Sequence, residues 1–443
     1  MEHHGHPHYL LGNMNKYKCT RVLYIIEAAL EYFFALMLTG AYIAKVGSAI
    51  GMSDALVGVL STASTLGCAF QLFALFLANK KPVKHWVFIC HTINQLFFTA
   101  VWLIPYFNLP NQFKIVAFMV ALIGGWIINH IINSPKISWF MSTVDDRKRG
   151  SFTAKKEMVS LISGMIFTLT MSYVIDKFEA NGNLRGAFLI GGLVMLALTV
   201  GHSLTLIFAY ERPAKKEERQ ESAVASIKSL LGNKLFLQVL VFTTLSTVVG
   251  SIAAPFFGTY QINELGFSLT YVSLIGAMYV GVRCVASIFM GRYADKTSFT
   301  NMLNVAHLFL ILGYIVMIFT TPANGKWMYP LFGAFFAAIH GAGYASGMIN
   351  IIYDTVDKSQ RTGAFALYNA ISGLIGFATT LVCSNVVTKI QENGDKIFGM
   401  SLYAQQFLSA VTVVVIVVLL IYLNCVLKKS MARAKAEKQN TEN

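Results

Sequence analysis

Charge is scarce in this chain. Asp, Glu, Lys and Arg make up 13% of its 443 residues, against about 25% in ordinary soluble domains. Hydrophobic residues make up 55%. That is too much to hide in one soluble core, so part of the surface must itself be apolar and face lipid. Cysteine is scarce too. Cys19, Cys68, Cys90, Cys284, Cys383 and Cys425 form no C-x-x-C pair, and all but Cys19 lie in apolar runs. There Cys behaves as a small hydrophobe, which excludes a disulfide framework or a zinc knuckle. No H-E-x-x-H, G-x-x-x-x-G-K-[ST] or G-x-S-x-G occurs, so an enzyme is not expected, and the phosphate loop of an ATP-driven pump is missing. The opening "MEHHGHPHYLLGNMNKYKC" has no short apolar stretch leading to a small-residue cleavage site, so a secretory signal is not expected either. Its His3, His4, His6 and His8 could hold a transition metal, but a solvated tail is the plainer reading. No metal site and no cofactor is expected elsewhere.

What the chain does have is long apolar runs. A helix needs roughly 20 apolar residues to cross about 30 Å of hydrocarbon. By that ruler about twelve spans are expected. The first half supplies roughly 21–45, 56–78, 86–106, 115–138, 151–176 and 186–210. The second half supplies roughly 233–259, 269–291, 302–321, 327–352, 361–388 and 402–427. Lipid offers backbone groups no partners and no barrel-like alternation is present, so the spans must be helical. The net charge of +14 does not point to nucleic acid. Lys and Arg cluster in short stretches between apolar runs. About 26 of the 35 fall on one set of segments, including "NKKPVKH", "DDRKRG", "ERPAKKEERQE", "GRYADK" and both ends, and about seven on the opposite set. The rich side is expected to be cytoplasmic, with both termini on it.

The chain also repeats itself. "TVDDRKRG" begins at Thr143 and "TVDKSQRTG" at Thr355, 212 residues later (355 − 143 = 212). "IGMSDALVGVLS" from Ile50 resembles "LGFSLTYVSLIG" from Leu265 at a similar offset (265 − 50 = 215). Two matches in register indicate a duplicated six-helix unit, and such repeats place a substrate site near mid-membrane. The expected organisation is a tail over 1–20, a six-helix bundle over 21–210, a charged linker over 211–232, a second bundle over 233–427 and a basic tail over 428–443. This is an all-α membrane protein of twelve transmembrane helices in two pseudo-symmetric bundles.

That organisation resembles the major facilitator superfamily of secondary transporters over nearly the whole chain. "GRYADKTS" (Gly291 to Ser298) is similar to the family's cytoplasmic G-x-x-x-D-[RK]-x-[GS] loop. The resemblance implies that Gly291 allows close helix approach and that Asp295, followed by Lys296, docks on a helix N-terminus near Ser151 when the inner gate closes. The repeated pairs Asp145/Arg149 and Asp357/Arg361 are expected to belong to the same gate. The first half departs from the pattern, with Phe76 in place of the Gly and Lys80 in place of the Asp. The fifth span, "SLISGMIFTLTMSYVIDKF", lacks the G-x-x-x-G-P-x-x-G-G stretch of many drug/proton antiporters.

The resemblance also implies a cavity lined mainly by spans one, four, seven and ten. Residues four apart share a helix face. The first span offers Glu27 and Glu31, about 9 and 15 Å beyond Arg21. The fourth offers Trp126, Asn129 and His130, the seventh Thr243 and Thr247, the tenth His340 and Tyr344, and the eighth adds Arg283. A charge at the bilayer centre costs roughly 3 kcal/mol, so three cost about 9 kcal/mol unless paired, hydrated or neutralised. The two carboxylates should repel and so hold a proton, or jointly bind sodium. Alternatively one of them is bridged to Arg283. Arg283 could instead hold a substrate carboxylate. The histidines can serve a polar solute or a proton, and Trp126 and Tyr344 could stack on a sugar ring. The expected function is uptake of a small hydrophilic solute (a sugar, sugar acid or other organic anion) by proton-coupled symport, the alternative being proton-coupled export of a drug-like compound or metabolite. The partners are then a small-molecule substrate and the bilayer, without nucleic acid. The protein is expected to be a multi-pass monomer of the plasma membrane.

Overall fold

The computed structural model describes residues 7–71, 73, 82–145, 148–212, 223–357, 360–397 and 399–442. His3, His4, His6, Phe76, Lys80 and the charged core of the expected linker lie outside the described residues.

The described chain is almost entirely helical. In order come α1 (Pro7–Met37), α2 (Gly40–Ala49), α3 (Asp54–Ser61), α4 (Ala63–Ala69), α5 (Val83–Leu103), α6 (Asn111–Met141), α7 (Arg149–Ala180) and α8 (Leu184–Phe208). There follow α9 (Ala223–Gly232), α10 (Lys234–Glu264), α11 (Leu269–Lys296), α12 (Phe299–Ile318), α13 (Gly325–Thr355) and α14 (Arg361–Glu392). A hairpin of two-residue strands, β1 (Lys396–Ile397) and β2 (Met400–Ser401), precedes α15 (Ala404–Tyr422) and α16 (Lys428–Glu442). Among the described residues ten helices are long and apolar enough to cross a membrane, and eleven if α1 and α2, bent by 50° at Leu38–Gly40, form one span. The expected second span runs through α3 and α4 and on into residues outside the described set, so the count of twelve is not reached here. Large apolar side chains such as Phe113, Val120, Ile166 and Phe208 are exposed on these helices, as contact with acyl chains requires.

The duplication extends further than the two motifs. Arg149 opens α7 and Arg361 opens α14, and both helices are 32 residues long. Both end on Asn (Asn181, Asn393) followed by a glycine at positive φ (Gly182 at 72°, Gly394 at 67°), the αL turn in which glycine has no Cβ penalty. The second repeat shares a cap: Ser53 Oγ accepts from Leu56 N and Ser268 Oγ from Tyr271 N. The repeated words are thus helix start and stop signals, whatever else they do.

The helices form two compact units, Met1–Gly51 with Phe70–Arg219 and Met52–Ala69 with Gln220–Asn443. In the first, α5 packs on α6 and α8, while α1 packs on α7 and α8. In the second, α12 packs on α13 and α15, α10 on α14, and α11 on α13. The short helices α3 and α4 belong to this second unit. Ser61 Oγ donates to Pro255 O at 2.9 Å, and Gly58 leaves space for the Phe256 ring.

Several glycines let the helices of the first unit close on large side chains, Gly191 among them. A Cβ at Gly191 of α8 would lie 2.3 Å from Trp102 Cε3. Trp102 is fully buried and its Nε1 donates to Met37 O at 3.1 Å, so the indole cannot swing away. Gly191→Ala should therefore cost about 1–3 kcal/mol by overpacking. The check is the midpoint of thermal unfolding in detergent; an unchanged midpoint would contradict this account of α5–α8 packing.

Candidate functional site

The first unit holds a charged cluster inside its helices. Glu27 and Glu31 lie one turn apart on α1, so they share a face. Lys136 reaches them from α6, His91 from α5 and His202 from α8. Lys136 Nζ lies 2.7 Å from Glu27 Oε1, 2.6 Å from Glu31 Oε2 and 3.3 Å from His91 Nε2. The ammonium is hydrogen-bonded to Glu31 Oε2 and His91 Nε2 and ion-paired with Glu27 Oε1. His91 Nδ1 bonds Asn94 Oδ1 at 2.8 Å; since Asn94 Oδ1 can only accept, Nδ1 carries the proton and Nε2 is the acceptor. His202 Nε2 stands 3.2 Å from Glu27 Oε1, and the two imidazoles meet edge to face at 4.1 Å.

The charges in this cluster do not balance. Two carboxylates share one ammonium, which leaves a net charge of −1 while both imidazoles are neutral. Glu27 and Lys136 are sealed, with side chains 1% accessible, whereas the Glu31 side chain is 27% accessible. Polar side chains continue along the same helices: Gln95 and Asn129 are buried with Oε1 and Oδ1 lacking hydrogen-bond partners, and Thr99 bonds Thr199 at 3.1 Å. Desolvating charge costs several kcal/mol per ion, so such a cluster is weak evidence for stability and stronger evidence for use.

Several expectations need correction here. The carboxylates were expected to face each other unaided or to find Arg283. They find Lys136, which lies between them, so simple mutual repulsion is not their situation. The sequence held a signal for it. Assigning about 26 basic residues to one side and about seven to the other leaves two of the 35 within the spans, Arg283 and Lys136. Lys136 stands near the end of a span drawn to 138, but α6 runs on to Met141 and α1 begins well before Arg21, which sets Lys136 level with Glu27. His91 and His202 escape a search restricted to spans one, four, seven and ten because they lie on the third and sixth. Trp126 is 8% exposed and packs against Phe98 and His130, leaving little ring face for a solute.

The second unit carries a polar strip of a different kind. His307 Nδ1 bonds Leu303 O at 2.7 Å, and its ring meets that of His340 at 5.1 Å. His340 stacks on Tyr344 at 5.0 Å, and its Nε2 is buried without a hydrogen-bond partner. Tyr344 bonds Tyr368 and Ser246, and Tyr368 bonds Thr247. Thr243 is fully buried with its hydroxyl donated to Leu240 O at 2.9 Å, which makes it a packing residue rather than a lining one. Arg283 extends past Gly341, its guanidinium 5.9 Å from the Tyr279 ring, and among the described residues no carboxylate lies within ion-pair distance of it.

The expected gate residues sit at helix ends. Asp295 and Lys296 are exposed at the end of α11. Gly291 does not mediate a close approach here: a Cβ there would meet nothing within 4 Å, although Met290 and Ala294 on the same turn are buried. Asp145 lies in the loop before α7, with Arg149 at its first residue. Asp357 is exposed before α14, and Arg361 stacks over Tyr353 at 4.1 Å.

Helices with apolar exteriors define a multi-pass membrane protein, and ionised groups held inside them mark a functional site. The Major Facilitator Superfamily profile matches residues 26–381, and the chain belongs to that family, whose members are transporters and not enzymes. Among solved structures it is similar to the nucleoside transporter NupG in its D323A mutant (TM-score 0.69, 16% identity, covering 91% of this chain and 98% of that one). It is also similar to a bacterial homolog of the human lysosomal transporter Spinster in an inward-facing, unoccupied conformation (0.69, 14%, 92% and 96%), and to a D-xylose-proton symporter (0.68, 10%, 92% and 97%). At these identities the likeness concerns the fold. A comparison with curated proteins gave no match. The chain is thus a multi-pass secondary transporter for a small molecule.

Proposed function

We propose that this transporter takes up a small hydrophilic solute (a sugar, sugar acid or other organic anion) together with a proton, by alternating access. The observation that carries the reading is the imbalance in the first unit, two carboxylates on one ammonium with Glu31 alone accessible. A proton on Glu31 brings the cluster to neutrality and leaves Lys136 paired with Glu27; its loss restores the shared arrangement. A group that alternates between these states inside a span is what coupling to a proton gradient requires, and sodium is the alternative coupling ion. The orientation that follows from the loop charges has both termini in the cytoplasm. We place the carrier in the plasma membrane, working as a monomer.

Arg283 favours an anionic solute. A guanidinium within a span with no carboxylate partner among the described residues is costly, and a substrate carboxylate matches its paired donors. Nearby, His340 Nε2, Tyr344 and Tyr368 supply groups for hydroxyls. The test begins with a thermal-shift screen of the purified chain against glucose, glucuronate, galacturonate and simple dicarboxylates, since a ligand raises the midpoint by mass action. Arg283→Ala should then lose the shift and the uptake of an acid while its own midpoint without ligand stays close to that of the native chain. Loss of one bidentate, charge-assisted contact corresponds to about 2–5 kcal/mol, or at least a thirtyfold weaker affinity. Acid uptake unchanged in Arg283→Ala would reject the role.

A further inference from the structure

The cluster of the first unit has a second chemical reading. His91 Nε2, His202 Nε2 and Glu27 Oε1 come from three helices, are all buried, and lie within 4.8 Å of one another. Glu27 Oε1 is 3.2 Å from His202 Nε2 and 3.8 Å from His91 Nε2. In a tetrahedral site with bonds near 2.0–2.1 Å, neighbouring ligand atoms stand about 3.3 Å apart. The two separations from Glu27 Oε1 bracket that edge length, and two imidazoles with one carboxylate are the set that suits Zn2+ and its neighbours.

Two further observations point the same way. His91 is oriented as metal-bound histidines are. Its Nδ1–H is held by Asn94 Oδ1 at 2.8 Å, which turns the Nε2 lone pair towards Glu27. And three buried polar atoms of the cluster, His202 Nε2 and both carboxylate oxygens of Glu27, make no hydrogen bond of good geometry. Orphaned polar atoms at this depth are costly, and a cation between the three side chains would engage His202 Nε2 and Glu27 Oε1. The position already accepts positive charge: Lys136 Nζ lies 2.7 Å from Glu27 Oε1 and 3.3 Å from His91 Nε2. Lys136 also has somewhere else to go, because its second carboxylate, Glu31, is 2.6 Å away.

We infer that Glu27, His91 and His202 form a binding site for a divalent transition-metal ion of the Zn2+ class, with the Lys136 ammonium as a tethered competitor that withdraws to Glu31 when the ion binds. The ion forms bonds to two imidazole Nε2 atoms and one carboxylate oxygen, and a water completes the fourth position. No redox step is involved. Repulsion from Lys136 keeps the affinity moderate. Bound metal fixes Lys136 on Glu31 and so blocks the proton exchange proposed above. Binding itself does not depend on the transport reading; inhibition rests on it.

The probe is Co2+, whose four-coordinate complexes with nitrogen and oxygen donors absorb in the visible. The protein is the full chain with His3, His4, His6 and His8 replaced by Ser, so that the tail does not report. One saturable equivalent of Co2+ should give the four-coordinate band, and Zn2+ should abolish it by displacement. Asn94→Ala, which removes only the outer partner of His91, should weaken binding about 10–100-fold, and His202→Ala should remove the band. No saturable band in the chain that keeps Lys136 overturns the site as a property of this protein. So does a band indifferent to both Asn94→Ala and His202→Ala. Binding that leaves uptake unaffected upholds the metal site and removes the cluster from the proton path, so the two readings fail separately.

Discussion

Replacing Lys136 with Met should be among the most damaging single changes in this protein. The substitution preserves much of the side-chain volume and removes the one charge that Glu27 and Glu31 share. Breaking a buried ion pair from one side typically costs about 3–5 kcal/mol, because the partner is left charged and unsolvated. Here two partners are left. Glu31 has some access to water, but Glu27 has none, so the penalty falls chiefly on Glu27. The expected result is a large fall in the unfolding midpoint of detergent-purified protein, or loss of the monodisperse species altogether. A second change separates charge from packing. Lys136→Met combined with Glu27→Gln removes both charges of the sealed pair and should recover much of the loss, a coupling that neither substitution alone reports. A single variant as stable as the native chain would show that Lys136 is not the counter-ion. A double variant no better than the single would assign the damage to packing.

Glu31→Gln should have the largest effect on transport with little on folding. Glutamine keeps the shape and a hydrogen-bond acceptor for Lys136, and the side chain is the accessible member of the cluster. With one proton moved per solute, a pH difference of one unit can sustain about tenfold accumulation, since one unit is worth 1.36 kcal/mol. Glu31→Gln should lose that tenfold factor and equilibrate its solute, while exchange of labelled for unlabelled solute across the membrane continues. Full accumulation by the variant would remove Glu31 from coupling; loss of exchange as well would make it a binding residue instead.

Much of the architecture was legible from composition and repetition alone. Twenty-residue apolar runs are a strong signal because lipid leaves the backbone no alternative to helix. The repeats were legible as matching words, but their local meaning emerged only in three dimensions: Arg149 and Arg361 begin helices of equal length, and Ser53 and Ser268 cap the starts of α3 and α11 in the same way. The breaks were harder to see. The bend falls at Thr39–Gly40 and the interruption between α3 and α4 at Ser61–Thr62, small and hydroxyl residues that are common inside spanning helices, so hydropathy does not single them out as breaks.

The site was half legible. Glu27, Glu31 and Arg283 stood out as charges in apolar runs. Lys136 did not, because Lys near a span end reads as an interfacial residue that snorkels to water. Only its reach to Glu27 and Glu31 reveals it as an interior charge. His91 and His202 were invisible for another reason. An isolated imidazole in a helix resembles any packed polar residue until a second helix brings its partner within 4.1 Å. Trp126 erred in the opposite direction: an aromatic at a plausible depth looked like a stacking platform, but Phe98 already covers it.

The central claim is that solute and proton move together because Glu31 takes up and gives back a proton beside Lys136. The most direct measurement uses lightly buffered proteoliposomes with no initial gradient, to which the solute found in the thermal-shift screen is added while external pH is recorded. The native chain should turn the medium alkaline as solute enters, and Glu31→Gln should admit solute without that change. Solute entry through the native chain with no movement of pH, or the same alkalinisation with Glu31→Gln, would contradict the account.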